Sequence, residues 1–437
     1  ALHGTEAGGS LAALSKRYNI GVKGTEVLDA KGKRRRDFTP EELSAYGDYC
    51  INDVELTRQL FNIMASGLVS GTRFPPEELK LIDLTLRMFT EPTLQLDKPL
   101  LQDAKVSKAD LMSNPKFAEL LKTLNVDPPM KISPANGKET FAFAKNDEGF
   151  KELLEHEDTA VQALATARIG TKSTLEETRT QRFIGIAERG ALPVPVRYYA
   201  AHTGRWGGDD KINLQNLPSR GANGKKLKRS IIAPDGHTMI DCDSSQIEAR
   251  VLAWLAGQDD LTAAFKNGDD VYKHMASSIY SVPSEDVTDS QRFVGKTTIL
   301  GAGYGMGAVK FQTQLAGMGV EVELREARRI IQIYRKTNGA ITQLWTDANN
   351  MIAYMARGDD LQFGKDGVLA VDASRNAIIL PSGLPMFYHA LGKYATEDGQ
   401  EYMYKTRKGM VRIYGGKVVE NVCQAIARCI IGHQMIL

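Results

Sequence analysis

Two cations, an apolar side chain and a phenol recur every fourth residue near position 300, a pattern that could bind a nucleoside triphosphate. They are Arg292, Lys296, Leu300 and Tyr304. On a helix, residues spaced in this way form one slowly drifting stripe. The two cations would contact phosphates, while Leu300 and Tyr304 would bracket a sugar and a base. An amphipathic helix with a solvated basic edge is the structural alternative.

A second candidate is the carboxylate of Asp243, which ends the run Thr238–Asp243. We predict a short strand here, with Asp241 on the same face as Asp243. A carboxylate fixed at a strand end suits a hard cation such as Mg²⁺, which takes oxygen ligands. Asp243 could instead cap the next helix, which the apolar stripe predicts over Ser245–Ala256, with Gly257 ending it.

Two short polar motifs, Thr203-Gly204-Arg205 and Asn213-Leu214-Gln215-Asn216, follow in a loop-rich stretch. Amides and an arginine are typical groups for contacting phosphates and base edges. Asn and Gly also make ordinary turns, so these motifs could equally be structural.

Composition limits the class of protein. The 437 residues suggest about three domains, and 42% hydrophobic with 25% charged residues excludes a disordered or fibrous chain. No apolar run approaches the ~18 residues of a membrane span. A net charge of +2 does not indicate a globally cationic binder, but it leaves room for a local basic channel. Lys31–Arg36 and Lys225–Arg229 are short basic clusters that could contribute to such a channel or lie in solvated loops.

Cysteine usage gives no sign of disulfides or zinc. The 4 cysteines are scattered, which fits a reduced cytosol, and their spacing matches no zinc site.

Periodicity and turn signals predict an α+β protein. The first 67 residues are mostly helical, with Thr39 as an N-cap, Glu42 completing a capping box, and a break near Gly47. Ala377–Tyr388 has two apolar runs about a Pro-Ser-Gly turn, which predicts a hairpin. Further helices are predicted over about 77–90, 98–124, 147–189, 286–300, 323–357 and 420–437, with a loop over 128–138.

Five elements in order resemble family A DNA polymerases, from about residue 140 to the end. Asp243–Glu248, followed by Ala249–Ala253, resembles their motif A, and Arg292 through Gly305 resembles motif B. Lys172-Ser173-Thr174 and the two polar motifs are similar to elements that grip the primer–template duplex. Glu420–Ala425 resembles the helix whose Gln contacts the minor groove. The amino-acid sequences of these segments resemble those of phage enzymes more than those of bacterial repair polymerases.

The resemblance implies a template-directed DNA polymerase that adds deoxynucleoside triphosphates to a primer 3′-hydroxyl by two-metal nucleotidyl transfer. It implies that Asp243 and the Ser244 carbonyl bind two Mg²⁺ ions, or Mn²⁺, with Asp241 as the fallback ligand. Arg292 and Lys296 would bind the triphosphate.

The remaining nucleotide contacts also follow from the resemblance. Gln246 belongs to the nucleotide-binding set. Glu248 would crowd the sugar 2′ position and select deoxyribose, and Tyr304 would stack on the template side. Tyr272 would contact phosphate, with His274 as its competitor. Leu300 stands where the family usually has Phe or Tyr, so sugar selection and extension rate are open.

The DNA contacts implied by the resemblance are spread along the chain. They are Lys172, Ser173, Thr174, Arg205, Asn213, Gln215, Asn216 and Gln424.

Tyr49 and Asp53 form a Tyr-x-x-x-Asp pattern that resembles the third motif of the 3′–5′ proofreading exonuclease. There the Asp binds metal and the Tyr positions the attacking water. A plain helix face is the alternative. The first two exonuclease motifs are expected before Ala1 and polymerase motif C after Leu437. We therefore expect neither site to be complete in this chain, and little nucleotide incorporation by the chain alone.

The fold implied by the resemblance is a right hand with the end of a ribonuclease H-like exonuclease domain. Its parts are the exonuclease remnant at 1–67, thumb and connecting helices at 77–192, first palm segment at 193–257, fingers at 258–375, and second palm segment at 376–437. Expected partners are primer–template DNA, deoxynucleoside triphosphates and a processivity factor or helicase–primase. A monomer in the cytoplasm of a bacterial host, without membrane contact, is expected.

Two other functions stay open. A single-subunit RNA polymerase shares the Lys and Tyr of motif B, but Glu248 as a steric gate argues against it. A non-catalytic duplex-binding protein with a decayed polymerase fold should have lost Asp243, Arg292 or Lys296, and all three are present.

Overall fold

Helices and small antiparallel sheets build two units of the chain. The computed structural model describes residues 2, 9–66, 74–103, 113–133, 137–144, 147–171, 174–217, 222–397 and 399–437. The first unit contains residues 1–85, 197–207 and 242–437, and the second contains residues 86–196 and 208–241.

Helices occur in both units of the described chain. They are α1 (Leu11–Tyr18), α2 (Glu26–Ala30), α3 (Pro40–Ser66), α4 (Pro76–Thr90), α5 (Lys98–Asp103), α6 (Asn114–Thr123), α7 (Glu148–Leu154), α8 (Thr159–Thr171), α9 (Thr174–Ala187), α10 (Ala222–Arg229), α11 (Ile247–Ala256), α12 (Asp259–Asn267), α13 (Val271–Tyr280), α14 (Asp289–Ala302), α15 (Ala308–Ala316), α16 (Leu324–Thr337), α17 (Gly339–Arg357) and α18 (Gly415–Ile436). Short 3₁₀ turns occupy Arg35–Asp37, Leu214–Asn216, Ser284–Asp286, Lys365–Gly367 and Ala373–Arg375.

The strands are short. They are β1 (Gln95–Leu96), β2 (Met130–Ile132), β3 (Glu139–Phe141), β4 (Val196–Arg197), β5 (Gly207–Gly208), β6 (Ile231–Ile232), β7 (Leu361–Phe363), β8 (Leu369–Asp372), β9 (Ala377–Ile379), β10 (Pro385–Phe387), β11 (Gly392–Thr396), β12 (Gly399–Thr406) and β13 (Gly409–Arg412). The first unit holds a four-stranded antiparallel sheet in the order β10-β9-β8-β7 and a three-stranded one in the order β11-β12-β13.

Two apolar cores organise the first unit. In one, α11, α17 and α18 pack with the four-stranded sheet, burying side chains such as Leu252, Met351 and Val422. In the other, α13, α14 and α16 pack together around Met275 and Tyr334. Burial of such side chains is the main force that fixes the relative positions of these helices. The second unit has its own cores, around phenylalanines of residues 117–150 and around Phe183.

The predicted strand over Thr238–Asp243 is wrong. This segment forms no strand and pairs with no described strand, and Ile240 is 86% exposed. An alternating apolar pattern becomes a strand only when a neighbour supplies hydrogen bonds and an apolar face to cover it. The alternative that Asp243 caps the helix is also wrong, because the N-cap position of α11 is Gln246.

Several predicted boundaries also differ from the structure. Helix α3 continues through Gly47, because one Gly costs a long packed helix only ~1 kcal/mol. The predicted helix 98–124 does not run through, since Ser113 has extended backbone and caps the new helix α6. The predicted helix 323–357 is interrupted at Asn338, which is not helical. The predicted loop 128–138 contains β2, which pairs with β3.

Other predictions are confirmed. The chain is α+β. Thr39 and Glu42 exchange the two hydrogen bonds of a capping box, at 3.0 and 3.2 Å. Strands β9 and β10 form the predicted antiparallel hairpin, and Gly257 ends α11 in the left-handed conformation. Among the described residues, no helix has the length and apolar character needed to span a membrane.

Candidate functional site

The cationic stripe lies on α14, which packs tightly against α13. Arg292 is half-buried, while Lys296 and Leu300 are exposed on the same helix. Gly295 permits the close approach of the two helices, since a Cβ there would lie 2.2 Å from the backbone oxygen of Tyr272. Tyr304 follows just after the helix ends at Ala302. The first unit therefore presents the predicted stripe as a partly open surface.

Tyr272 of α13 lies beneath both cations. The Arg292 guanidinium carbon is 5.3 Å from the centre of the Tyr272 ring, and the Lys296 Nζ is 5.9 Å from it. These are cation–π distances. Tyr272 is 5% exposed, and burial raises the pKa of its phenol although a hydrogen bond from the Gln246 side chain opposes that rise.

Gln246 connects this stripe with the segment that carries Asp243. It has a left-handed backbone, with φ of 58°, at the residue before α11. A non-glycine residue in this conformation is uncommon and is a pointer to function when other contacts hold it. Here the turn directs the Gln246 side chain to Tyr272. Asp243, three residues earlier, is exposed.

Asp270 orients Arg292. Its Oδ2 accepts a hydrogen bond from Arg292 Nε at 2.7 Å, and its Oδ1 accepts from the backbone N–H groups of Tyr272 and Lys273, both at 3.1 Å. Burial raises the pKa of the Asp270 carboxyl, but Arg292 and these N–H groups together hold it below its ordinary value. Asp270 thus stays ionised and keeps the guanidinium in a fixed orientation.

Tyr304 contacts the start of α18, and Glu248 lies in the first turn of α11. Glu248 pairs with Arg205 at 3.2 Å. A Cβ at Gly416 would lie 2.5 Å from the Tyr304 carbonyl oxygen, so this close approach of α18 requires glycine. Burial is the main cause that raises the pKa of the Tyr304 phenol, and the charges of Glu248 and Glu420 add to it.

The described residues do not make up a complete metal centre. Within the described ranges, no group of three or more His, Cys, Asp or Glu side chains is placed to hold a metal ion. Mg²⁺ takes six oxygen ligands, usually from one or two carboxylates with waters and phosphates. Asp243 and the Ser244 carbonyl would supply only part of such a set. Their role as metal ligands stays a prediction.

Comparison with known proteins assigns the family. The family model described as DNA polymerase family A matches residues 86–355. This chain belongs to DNA polymerase family A.

Relatives of this family A chain include phage and bacterial enzymes. The DNA polymerase of Bacillus phage SP02 is 25% identical over 477 residues, covering 95% of this chain and 70% of the phage protein. DNA polymerase I of Pseudomonas aeruginosa is 39% identical over 145 residues, which are 33% of this chain and 15% of that enzyme. The matched part of the chain thus spans about a seventh of the Pseudomonas protein.

A solved structure shows that the fold is that of a polymerase domain. The chain superposes on the POL domain of Pol1 from M. smegmatis, solved in complex with DNA primer-template and dNTP. The TM-score is 0.61 at 19% identity, and the match covers 99% of this chain and 68% of that one. The predicted α+β polymerase fold is therefore confirmed, while the five-part domain division and the exonuclease remnant stay predictions.

The predicted DNA contacts of the family A chain fall in both units. Arg205 and Gln424 belong to the first unit, where Gln424 Nε2 donates to Glu420 Oε1 at 3.4 Å. In the second unit, Asn213 has a left-handed backbone before the 3₁₀ turn that contains Gln215, and the Asn216 carbonyl accepts from Arg179 at 2.7 Å. Lys172 and Ser173 lie outside the described residues, and Thr174 is described as the first residue of α9.

The predicted exonuclease pair is joined by a lysine that sequence reasoning missed. Lys23 Nζ donates to the Tyr49 hydroxyl and to Asp53 Oδ2, and it lies 4.5 Å from the centre of the Tyr49 ring. The hydrogen bond from Lys23 is the main cause that lowers the pKa of the Asp53 carboxyl. The contacts with Asp53 and Tyr49 raise the pKa of Lys23.

These shifts predict a pH response. Because the pKa of Asp53 is depressed on folding, its stabilising effect is present above about pH 3.9 and is lost as pH falls through the folded value. In a carbon-13 NMR titration, Lys23→Met should move the Asp53 midpoint up toward about 3.9, whereas Lys16→Met on exposed α1 should not. An unchanged Asp53 midpoint in Lys23→Met would contradict the assignment.

Asp270 and Glu420 were also missed by sequence reasoning. A signal for Asp270 was available, because an aspartate just before an apolar periodic segment is a typical N-cap. Glu420 begins the segment that resembles the minor-groove helix. It pairs with Lys417, three residues earlier, at 2.9 Å. Such a pair is common on any helix, so it gave no signal of function.

Proposed function

We propose that the chain is the nucleotide-binding and duplex-binding part of a template-directed DNA polymerase, which adds deoxynucleoside triphosphates to a primer 3′-hydroxyl. The observation that carries this proposal is the placement of Arg292 and Lys296 over Tyr272, which Gln246 connects to the segment of Asp243. Family membership supports the same reaction. The likeness to a phage polymerase, which covers 95% of this chain and 70% of that protein, supports a role in phage DNA replication.

In this proposal the first unit binds the triphosphate by charge. Arg292, held by Asp270, and the exposed Lys296 contact phosphate oxygens and neutralise the charge that develops on them. Leu300 and Tyr304 lie further along the same line and contact the sugar and the base. Tyr272 supports both cations from below, so its aromatic face stabilises the charges before the nucleotide arrives.

Asp243 and the Ser244 carbonyl are the candidate ligands for Mg²⁺, which would activate the primer hydroxyl and stabilise the leaving pyrophosphate when bound.

Binding experiments test the proposal directly. The chain should bind a primer–template, and a dNTP complementary to the next template base should tighten that complex more than any non-complementary dNTP. Fluorescence anisotropy of a labelled primer–template, titrated with each dNTP in turn, measures this difference. Equal effects of all four dNTPs would refute template-directed selection and leave only a duplex-binding protein.

Glu248 distinguishes a DNA polymerase from an RNA polymerase. Its carboxylate lies in the first turn of α11 and pairs with Arg205, and we propose that it excludes the 2′-hydroxyl. Glu248→Ala should narrow the preference for dNTP over rNTP in the ternary complex by roughly 10- to 100-fold. Glu248→Gln, which keeps the volume, is the matched control and should retain most of the preference. An rNTP preference in the unmodified protein would favour the RNA polymerase alternative.

We also propose that Tyr49 and Asp53 derive from a proofreading 3′–5′ exonuclease domain. The support is their motif, their position ahead of the polymerase elements, and the lysine that contacts both side chains.

A further inference from the structure

The three-stranded sheet β11-β12-β13 segregates its charges. The turn between β12 and β13 consists of Arg407 and Lys408, and Lys405 precedes it on β12. Glu397 lies in the turn between β11 and β12. In an antiparallel meander these two turns are at opposite ends of the central strand, so the cations of the second turn lie at the end of the sheet opposite to Glu397.

The basic turn is well defined. Lys408 N–H donates to Thr406 Oγ1 at 3.3 Å, and Thr406 Oγ1 donates to the Gly409 carbonyl at 2.9 Å. Gly409 has φ of +120°, which favours glycine. Lys405 and Lys408 are exposed. Two-residue hairpin turns usually carry Asn-Gly or Asp-Gly, so a pair of cations at this position is unusual.

The sheet is fixed to the elements that we propose to contact DNA. Tyr404 of β12 is 9% exposed, and its ring lies 5.1 Å from Tyr388 and 5.8 Å from His202. Asn421 of α18 donates to the Tyr388 hydroxyl at 3.2 Å. One aromatic cluster thus joins the sheet to α18, which carries Gln424, and to the loop that carries Arg205.

We propose that the basic turn, with Lys405, Arg407 and Lys408, binds the phosphate backbone of the primer–template duplex. This contact extends the one that we propose for Gln424 of α18. Lysine and arginine side chains on a rigid turn suit evenly spaced phosphates, and they provide charge without reading base edges. A duplex is favoured over a single strand because the exposed aromatic residue of this sheet, Tyr394, pairs with Glu401, away from the cations of the basic turn. Unstacked bases require an aromatic surface beside the charges. The inference rests on the proposed DNA binding and extends its footprint.

The salt dependence of binding tests this inference. Lys405→Gln/Lys408→Gln should reduce the slope of log affinity against log salt by about 1.8, since each duplex phosphate contact contributes about 0.9. The matched control is Lys16→Gln/Lys266→Gln, which removes the same charge from exposed positions of α1 and α12 in the same unit. Its slope should stay close to that of the unmodified protein.

The length and strandedness of the DNA separate the possible outcomes. The loss in the turn variant should appear with a long primer duplex and shrink with a short one. An equal loss with both lengths, or with single-stranded DNA alone, would overturn the duplex assignment. If the control variant changes the slope equally, the effect is general charge and the turn is not a site.

The failure of this inference is distinguishable from failure of the proposed function. If the unmodified protein binds primer–template and selects the complementary dNTP while the turn variant behaves like the control, only the turn assignment is wrong. If no form of the protein binds primer–template, the proposed function itself is wrong. Dichroism spectra of all variants check that the surface substitutions leave the fold intact.

Discussion

Replacing Glu78 with alanine should lower the free energy of unfolding of the first unit by about 3–5 kcal/mol. Glu78 of α4 and Arg428 of α18 are 2% and 5% exposed, and Arg428 Nη2 donates to Glu78 Oε2 at 2.8 Å. The Tyr198 hydroxyl also donates to Glu78. Removing the carboxylate would leave a buried guanidinium without its counter-charge, and that uncompensated charge is the physical cause of the loss.

The fluorescence of Trp206 offers a local readout, since the Arg428 guanidinium carbon lies 4.7 Å from the centre of its ring. Urea unfolding followed by tryptophan emission should show the lower midpoint. Glu326→Ala, which breaks an exposed pair with Arg329 at 2.7 Å, is the matched control and should change stability by less than about 1 kcal/mol.

A double variant tests whether the loss of stability comes from the unpaired charge of Arg428. Glu78→Leu/Arg428→Met replaces both charges with apolar groups, and it should recover most of the stability lost in Glu78→Ala, because replacing a whole buried pair is often neutral. If the double variant is as unstable as the sum of its two single variants, Glu78 and Arg428 act independently and the argument fails.

This ion pair also shows what sequence reasoning could not supply. Its members are 350 residues apart, and neither has a local pattern that distinguishes it from other charged residues on a helix. Local signals did predict local structure. The Thr39 capping box, the Gly257 helix end and the hairpin around Pro381 each depend on a few adjacent residues, and each is confirmed.

The incorrect predictions concern structure that depends on residues distant in the sequence. Thr238–Asp243 has the composition of a strand, yet a strand depends on a partner that composition does not specify. The candidate site was predicted in part. The spacing of Arg292 and Lys296 could be predicted as one helical stripe, but Tyr272 beneath them and Asp270 beside Arg292 depend on how α13 packs against α14. The roles of these residues stay predictions.

Lys296→Met should weaken binding of the complementary dNTP to the primer–template complex by about 10- to 100-fold. A hydrogen bond to a charged group contributes about 1.5–3 kcal/mol, and each 1.4 kcal/mol is about tenfold in affinity. Lys296 is exposed, so its removal leaves the packing of α14 against α13 intact. Titration of the labelled primer–template complex with dNTP measures the change, and Lys266→Met on α12 is the matched control.

The number of phosphates on the ligand decides whether Lys296 acts through the triphosphate. The loss of affinity should be large for the triphosphate, smaller for the diphosphate and absent for the nucleoside, because only the phosphates carry the complementary charge. Arg292→Met should show the same order, with an added loss of stability since Asp270 would lose its partner at 2.7 Å. An equal loss for all three ligands would show that Lys296 shapes the pocket for the base or sugar, and the cationic stripe would then not be the phosphate-binding element.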